Sequence, residues 1–286
     1  MSKILLFVPA SDERKLGKVL SLSAPAFLLD LEDGVAEGHK EAARTLLRRL
    51  APDLYGRKPC WVRVNPLDGE HFYADVEAAL WPGLLGINLP KVESALHLQI
   101  ADWYLSQLER ERGLPPGSVR LMATVESARG VEALGEIAWA TRRLECLCFG
   151  NADYSRDLGL DWPAPEGAAY PALTAAKVRL VQISAAAGLE PPHDGASAEF
   201  GDLEAVEREA QAAKQLGFGG KHAIHPAQIP VLERVFRPTQ AQVAWAERVL
   251  AYHALHPEQG AFQLDGRMVD APVIARARQI LEEAGR

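Results

Sequence analysis

Short apolar runs recur along the chain with their centres about 30 residues apart, which is the length of one βαβ unit. The runs are ILLFVP (4–9), AFLLDLED (26–33), CWVRVNP (60–66), LGINLPKV (85–92), RLMATVES (120–127), LECLCFG (144–150), AGLEPPHDG (187–195) and GGKHAIHP (219–226). Near-continuous apolar strands that alternate with helices are typical of a parallel sheet covered on both faces. Eight such runs predict an α/β fold and fit a closed (β/α)8 TIM barrel better than an open sheet.

Amphipathic stretches between these runs have apolar residues at helical spacing and predict the helices of the barrel. The stretches cover residues 41–50, 95–110, 130–144, 174–188 and 202–217. Gly188 and Gly217 stand at the ends of two of them, where glycine commonly ends a helix.

The strand rhythm stops near residue 230. Further amphipathic stretches at 228–236, 239–256 and 272–285 predict helices without strands, and a polar loop at 260–272 joins the last two. We therefore predict a TIM-barrel domain over residues 1–230 and a C-terminal helical extension over residues 231–286.

Composition and charge exclude several classes of protein. The 286 residues are 48% hydrophobic and 24% charged, as in an ordinary globular protein, and the net charge of −7 argues against a broad nucleic-acid surface. The first residues are charged too early to predict a signal peptide, and no apolar run is long enough to predict a membrane-spanning helix. Cys60, Cys146 and Cys148 lie in apolar runs and predict buried free thiols. We expect a cytoplasmic protein without nucleic-acid or membrane partners.

Polar side chains follow most of the predicted strands, at the point where each strand ends. They are Asp30, Glu32, Asp33, Arg63, Asn65, Lys91, Glu93, Glu126, Asn151, Asp153, His222 and His225. In barrel enzymes the catalytic groups come from these strand ends and the loops that follow them. Because charges at a barrel mouth must be paired, solvated or bound to a metal, the pattern predicts a functional site there.

Glu126 and Asp153 are the candidate metal ligands, since they follow neighbouring strands and converge on one side of the mouth. Carboxylate oxygens with room for water suit Mg²⁺, or Mn²⁺. The alternative is that each carboxylate forms an ion pair, Glu126 with Arg129 and Asp153 with Arg156. The residues alone leave these two interpretations balanced.

Arg63 is a candidate for binding a substrate carboxylate, because a guanidinium can hold one through two hydrogen bonds. From the residues alone, a buried ion pair with Asp30, Glu32 or Asp33 is the stronger interpretation. These three carboxylates could instead lie behind a metal site and orient its waters and Arg63.

A basic cluster follows the first predicted strand and comprises Arg14, Lys15 and Lys18. It could meet the phosphates of a nucleotide-bearing substrate, although a solvated helix face is the more common role of such a cluster. The chain has no GxGxxG or Walker-type loop and no serine nucleophile elbow. Nicotinamide, ATP and serine-hydrolase chemistry are therefore not expected.

Eight motifs occur in a fixed order along nearly the whole chain. They are FVPASDERKLGK, LLDLEDGVAEGHKEAAR, VRVNP, LPKVES, TVESARG, FGNADYSRDLG, LGFGGKHAIHPAQI and DGRMVDAPVIARA. Together they resemble the HpcH/HpaI aldolase/citrate lyase superfamily. Within it the chain is similar to citrate lyase β-subunit-like proteins, and most of all to the stand-alone branch of citramalyl-CoA lyase-like enzymes.

The resemblance implies a homotrimeric, Mg²⁺-dependent TIM-barrel lyase. Such an enzyme would cleave or form a carbon–carbon bond next to a CoA thioester, with citryl-, malyl- or citramalyl-CoA as substrate and a 2-keto acid such as oxaloacetate as product. In the family motifs, Glu126 and Asp153 align with the metal ligands, and Glu126 also with a residue next to the substrate. Arg63 aligns with the residue that binds the keto-acid carboxylate. Asp270 aligns with a catalytic acid/base that the C-terminal extension gives to a neighbouring subunit.

The resemblance also assigns substrate contacts at the edge of the site. Phe7, Arg14 and Lys18 align with positions near the CoA moiety, and Asp194 and Gly195 with a strand-seven segment that contacts substrate.

The chain departs from the family pattern at three places. Ala152 replaces an acidic residue, AAYPALTAAK (168–177) has no arginine, and Ser197 replaces a tyrosine. Two alternatives therefore stay open: a class II aldolase that acts on free pyruvate or oxaloacetate without CoA, and a non-catalytic subunit of a lyase complex.

Overall fold

Eight parallel strands pair in chain order, and the first strand also pairs with the eighth, so that the sheet closes into a barrel. The strands are β1 (Ile4–Pro9), β2 (Ala26–Asp30), β3 (Cys60–Arg63), β4 (Gly86–Leu89), β5 (Arg120–Val125), β6 (Leu144–Phe149), β7 (Glu190–Asp194) and β8 (Gly220–Ala223). The computed structural model describes residues 3–165, 170–199 and 201–286. Each of the eight apolar runs contains one strand, and the predicted TIM barrel is confirmed.

Apolar side chains from several strands fill the interior of the barrel, among them Leu28, Trp61 and Met122. Gly86 lets Trp61 fit, because a Cβ at residue 86 would overlap the indole ring and the carbonyl oxygen of Arg120. Close packing of this kind is the main reason that the runs are nearly continuous in apolar residues. Cysteines 60, 146 and 148 are buried and free, as predicted.

Helices follow the strands of the barrel. They are α1 (Glu13–Lys18), α2 (Lys40–Tyr55), α3 (Phe72–Ala79), α4 (Ala95–Glu111), α5 (Ala128–Glu132), α6 (Leu134–Ile137), α7 (Asn151–Asp157), α8 (Pro171–Ala186) and α9 (Leu203–Leu216). Single 3₁₀ turns lie at Val19–Ser21, Glu37–His39 and Pro226–Gln228. Gly217 caps α9 with a φ of 105°, and Gly188 follows α8 with a φ of 68°, so both predicted helix ends are confirmed.

Three helices differ from the sequence-based predictions. The single helix predicted over residues 130–144 is two short helices, α5 and α6, and its last residue already belongs to β6. Gly130 and Gly135 lower the helix propensity of this stretch. Helices α3 and α7 were not predicted, because they are too short to show clear periodicity.

The described residues form two compact units, of which the first reaches to Leu232 and the second spans Glu233–Arg286. Helix α10 (Ile229–Phe236) lies across this boundary, and the second unit also contains α11 (Gln240–Leu255) and α12 (Ala271–Glu283). Among the described residues, no helix is long and apolar enough to cross a membrane.

The second unit contains strands, contrary to the prediction of helices alone. The antiparallel pair β9 (Phe262–Leu264) and β10 (Arg267–Val269) lies in the stretch expected to be a loop. Asp265 and Gly266 join the strands with φ values of 51° and 75°, and two such residues make the type I′ turn of a tight hairpin. The Asp-Gly pair is a sequence signal for this hairpin.

Candidate active site

A cavity of about 960 Å³ opens where the strands of the barrel end. Its lining includes residues at the ends of β1, β2, β3, β5, β6, β7 and β8, among them Phe7, Asp30, Arg63, Glu126, Asn151, Asp153, Ser197 and His222. The strand ends thus bring together most of the residues predicted to form a site.

Glu126 is almost fully buried, with 6% of its surface exposed, directly after β5. Its Oε1 accepts a hydrogen bond of 2.9 Å from the backbone N–H of Lys91. Burial, together with the nearby carboxylates of Glu32 and Asp153, raises the pKa of Glu126 to about 8. Gly150 packs against this carboxylate so closely that a Cβ would overlap it. The chain therefore holds Glu126 in a position where its negative charge is poorly compensated.

Asp153 lies in the first turn of α7, with its side chain 19% exposed, and forms a 2.7 Å ion pair with Arg156. One of the two alternative ion pairs is therefore present. Arg156 is 75% exposed, so this pair lies largely in solvent and contributes little stability. The other alternative is wrong, because Arg129 lies 3.7 Å from Glu93 and makes no ion pair with Glu126.

These residues fit a hard divalent cation. Glu126 and Asp153 supply carboxylate oxygens from neighbouring strand ends. Burial, and then the nearby carboxylates, raise the pKa of Glu126, and a bound cation would favour its ionised form. Within residues 3–165, 170–199 and 201–286, no group of three or more His, Cys, Asp or Glu side chains is placed to hold a metal. Two protein ligands leave the remaining positions for water and substrate, as Mg²⁺ commonly requires.

Arg63 ends β3 and lies opposite Asp30 in the register of the sheet. Its Nε and Nη2 donate to the two carboxylate oxygens of Asp30 at 2.8 and 2.7 Å, and its Nη1 lies 2.7 Å from Oε2 of Glu32. The predicted ion pair is thus present with Asp30 and Glu32. Asp33 takes no part and lies 3.9 Å from Lys91 instead.

The guanidinium of Arg63 still faces the cavity. It lies 4.7 Å from the centre of the Phe7 ring, and both residues line the cavity. A guanidinium has five N–H donors, and Asp30 accepts from two of them, while Oε2 of Glu32 lies 2.7 Å from Nη1 without accepting a hydrogen bond from the described residues. Arg63 can therefore keep its two carboxylate partners and also donate to a bound anion.

Lys91 connects Glu126 with Glu32. The sequence did not indicate this connection. While its backbone N–H donates to Glu126, its Nζ lies 2.7 Å from Oε1 of Glu32. Lys91 also has a φ of 52°, in the left-handed region that disfavours side chains. This unusual backbone directs the N–H of Lys91 towards Glu126.

The basic cluster Arg14, Lys15 and Lys18 lines the same cavity from α1. Asp12 caps this helix by accepting a 2.9 Å hydrogen bond from the N–H of Lys15. The cluster gives one part of the cavity rim a positive charge.

Asp194 is placed differently from its neighbour Gly195. Gly195 lines the cavity, whereas the carboxylate of Asp194 is 1% exposed and forms ion pairs with Lys177 at 2.7 Å and Lys221 at 2.6 Å. Burial would raise the pKa of Asp194, but the two lysines hold it well below its usual value. Asp194 thus lies behind the wall of the cavity, and no sequence pattern indicated its lysine partners.

Asp270 belongs to the second unit, where it is the cap residue of α12. Its Oδ1 accepts a 3.4 Å hydrogen bond from the backbone N–H of Val273, and the residue is partly exposed.

A closed parallel barrel with acidic and basic groups gathered at its mouth defines the class of this protein as a TIM-barrel enzyme. The model of the HpcH/HpaI aldolase/citrate lyase family matches residues 3–226, and the chain belongs to this family.

Relatives of known identity resemble the chain over nearly their whole length. It is 35% identical over 287 residues to the citrate lyase subunit beta of Haemophilus influenzae, covering 99% of this chain and 97% of the relative. It is 30% identical to the mitochondrial citramalyl-CoA lyase of Rattus norvegicus, and the match covers 98% of this chain and 85% of the relative. Among solved structures, Mycobacterium tuberculosis CitE in complex with magnesium, acetoacetate and coenzyme A is 32% identical, with a TM-score of 0.79 and coverage of 100% and 98%.

Proposed function

We propose that this protein is a Mg²⁺-dependent carbon–carbon lyase that cleaves a 3-hydroxyacyl-CoA into acetyl-CoA and a 2-keto acid, or joins these two in reverse. The observation that carries the proposal is the buried carboxylate of Glu126, held near Asp153 in a cavity that Arg63 also lines. Support comes from the relatives named citrate lyase subunit beta and citramalyl-CoA lyase, and from a related structure that contains magnesium and coenzyme A.

Glu126 and Asp153 would hold the metal. When bound, Mg²⁺ supplies a Lewis acid that polarises the hydroxyl or keto oxygen of the substrate. Lys91 orients Glu126 through its backbone N–H, and Gly150 leaves room for the carboxylate. The protein contributes a fixed pair of ligands that needs little rearrangement on binding.

Arg63 would bind the carboxylate of the keto acid through the N–H groups that Asp30 and Glu32 leave available. Because these two carboxylates hold the guanidinium from behind, it presents a fixed direction to the substrate. The resulting ion pair would place the carbon–carbon bond that breaks at a constant position relative to the two metal ligands.

The rim residues Arg14, Lys15 and Lys18 would meet the phosphates of CoA, and Phe7 would pack against its apolar part. Gly195 forms part of the wall next to the acyl group. Substrate contacts from residue 194 are not part of the proposal, since two lysines engage its carboxylate.

Asp270 would exchange the proton at the methyl carbon of acetyl-CoA, protonating it during cleavage and removing the proton during condensation. We propose that it acts from the C-terminal extension, residues 231–286, of a neighbouring subunit in a homotrimer. The family resemblance supports this role, and a partly exposed carboxylate at a helix start is able to fulfil it.

The proposal is tested by incubating the protein with Mg²⁺ and malyl-, citramalyl- or citryl-CoA, and by measuring keto acid and free CoA thiol separately. We expect keto acid without free thiol. Glu126→Gln and Asp153→Asn should each lose activity about 100-fold or more, and the exposed control Glu136→Gln should retain it. Free thiol without keto acid would instead indicate hydrolysis, the activity named for the (3S)-malyl-CoA thioesterase of Cereibacter sphaeroides.

Two further comparisons address the remaining parts of the proposal. Cleavage of free acids at the rate of CoA-linked acids would replace the lyase with a class II aldolase. For the shared site, mixing inactive Asp270→Asn with inactive Arg63→Ala should restore activity in mixed oligomers. Absence of this complementation would place Asp270 outside the neighbouring subunit's site.

A further inference from the structure

Asn151 and Ser197 line the cavity, and each has one buried side-chain oxygen without a hydrogen-bond partner among the described residues. The two residues are only 5% and 1% exposed. Among the described residues, neither Oδ1 of Asn151 nor Oγ of Ser197 has a partner. Buried polar atoms without partners are uncommon because they lose their hydrogen bonds to water, and a bound ligand can supply what is missing.

The orientation of the Asn151 amide follows from its neighbour. Its Nδ2 donates a 3.3 Å hydrogen bond to Oδ1 of Asp194. Lys177 and Lys221 keep Asp194 ionised, so that its oxygens can only accept. A flipped amide would place two acceptors together. The Oδ1 of Asn151 is therefore the atom left without a partner.

The chain brings Asn151 and Ser197 to one corner of the cavity. Strands β6 and β7 are neighbours, with Phe149 opposite Asp194. At Gly195, a Cβ would lie only 2.7 Å from the carbonyl oxygen of Phe149 and 2.9 Å from Nδ2 of Asn151. The start of the loop after β7 thus runs directly against Asn151, two residues before Ser197. Asn151 in turn precedes Asp153 by two residues, which puts this corner next to the proposed metal site.

We propose that Asn151 and Ser197 form a subsite for a hydroxyl group on the keto-acid half of the substrate, an inference that rests on the proposed lyase function. A hydroxyl can donate to Oδ1 of Asn151 and accept from Oγ–H of Ser197, so one group satisfies both atoms. A methyl group satisfies neither. A carboxylate would place its lone pairs against Oδ1, and the adjacent lysines already bind Asp194.

The preferred keto acid would therefore be of the hydroxypyruvate class, with a hydroxymethyl group next to its carbonyl. During condensation, acetyl-CoA loses one methyl proton, its methyl carbon bonds to the keto carbon, and the keto oxygen gains a proton. The hydroxymethyl group takes no part in bond changes. It serves only for recognition, and the reverse step releases the same keto acid.

Calorimetric titration in the presence of Mg²⁺ tests the subsite by comparing pyruvate, hydroxypyruvate and oxaloacetate. We expect hydroxypyruvate to bind at least about tenfold more tightly than pyruvate. Ser197→Ala should remove most of this difference by weakening the binding of hydroxypyruvate, and Asn151→Ala should reduce it in the same direction. Ser184→Ala is the matched control, because its buried hydroxyl also lacks a partner but lies in α8 and does not line the cavity.

Equal binding of pyruvate and hydroxypyruvate by the unaltered protein would overturn the subsite and leave the lyase proposal standing. So would a Ser197→Ala protein that keeps the full difference. If none of the three keto acids binds with Mg²⁺, the lyase proposal fails, and the subsite fails with it.

Discussion

Two buried glutamates of the barrel, Glu109 and Glu126, have opposite electrostatic surroundings. Glu109 is fully buried in α4 and accepts hydrogen bonds from Arg143 at 2.6 and 2.7 Å and from the backbone N–H groups of Gly117 and Val119. Burial would raise the pKa of Glu109, but these partners lower it. Glu126 accepts one hydrogen bond within the described part of the chain, and its pKa rises to about 8.

The positions of the two glutamates explain the difference. Arg143 and Val119 directly precede β6 and β5, so the cluster around Glu109 lies where the strands begin. Glu126 lies where β5 ends. In TIM barrels the face where the strands begin commonly contributes stability, while the face where the strands end holds the active site. The same residue type is therefore neutralised by the protein at one end and left for a ligand to neutralise at the other.

The largest expected effect is a loss of stability in Arg143→Met. The change leaves the Glu109 carboxylate buried without its cation, and breaking a buried ion pair from one side costs about 3–5 kcal/mol. The free energy of unfolding from urea titration measures this loss. Exposed Arg110→Met is the control and should change stability by less than about 0.5 kcal/mol. A loss of the same size in both variants would show that the Glu109 cluster is not a stabilising feature.

Glu126→Gln should have the opposite effect on stability. Without metal, the variant replaces a carboxyl group whose ionisation is disfavoured by burial with a neutral amide, so its free energy of unfolding should equal or exceed that of the unaltered protein. Its affinity for Mg²⁺ should fall about 100-fold. Thermal unfolding with and without Mg²⁺ measures both effects, since ligand binding raises the Tm. A clear loss of stability in the metal-free variant would contradict the contrast with Glu109.

The stability of Glu109→Gln relative to the unaltered protein should depend on pH. Because the pKa of Glu109 is lowered on folding, its ionised form stabilises the protein above the unfolded value of 4.5. This contribution is lost as the pH falls below 4.5 through the lower folded pKa. We expect the unaltered protein to be more stable than the variant by about 1–3 kcal/mol at neutral pH, and the difference to shrink in acid. A difference that stays constant from pH 7 to pH 3 would contradict this.

Gly150→Ala should damage the site without touching a charge. A Cβ at residue 150 overlaps the carboxylate of Glu126, which would have to move. We expect the Mg²⁺ affinity to fall about tenfold, with a smaller change in stability than Arg143→Met. Gly135→Ala is the matched control, because a Cβ there meets no atom within 4 Å. Equal Mg²⁺ binding in both alanine variants would show that the position of Glu126 is not set by this contact.

Sequence patterns predicted those features that depend on local chemistry. Apolar runs gave the strands, and polar residues at their ends gave Arg63, Glu126 and Asp153 as a group. The Asp-Gly pair at residues 265–266 is typical of a tight hairpin turn, but the prediction gave a loop in place of this hairpin.

Pairings between distant residues could not be predicted in this way. Arg143 and Glu109 are 34 residues apart, and Lys221 and Asp194 are 27 apart, with no periodicity that relates them. Which carboxylate meets an arginine and which is left for a cation depends on the closed barrel. For this reason the residues alone left Glu126 undecided between a metal ligand and an ion pair.

The smallest effect concerns the backbone of Lys91, which directs its N–H towards Glu126 from a φ of 52°. Lys91→Ala and Lys91→Gly both remove the ammonium that pairs with Glu32, but only glycine adopts this φ without strain. The glycine variant should therefore be more stable than the alanine variant by about 1 kcal/mol. Urea titration of both variants measures the difference, and the shared loss of the ion pair cancels from it. If alanine is equally stable, the left-handed conformation of residue 91 is not under strain.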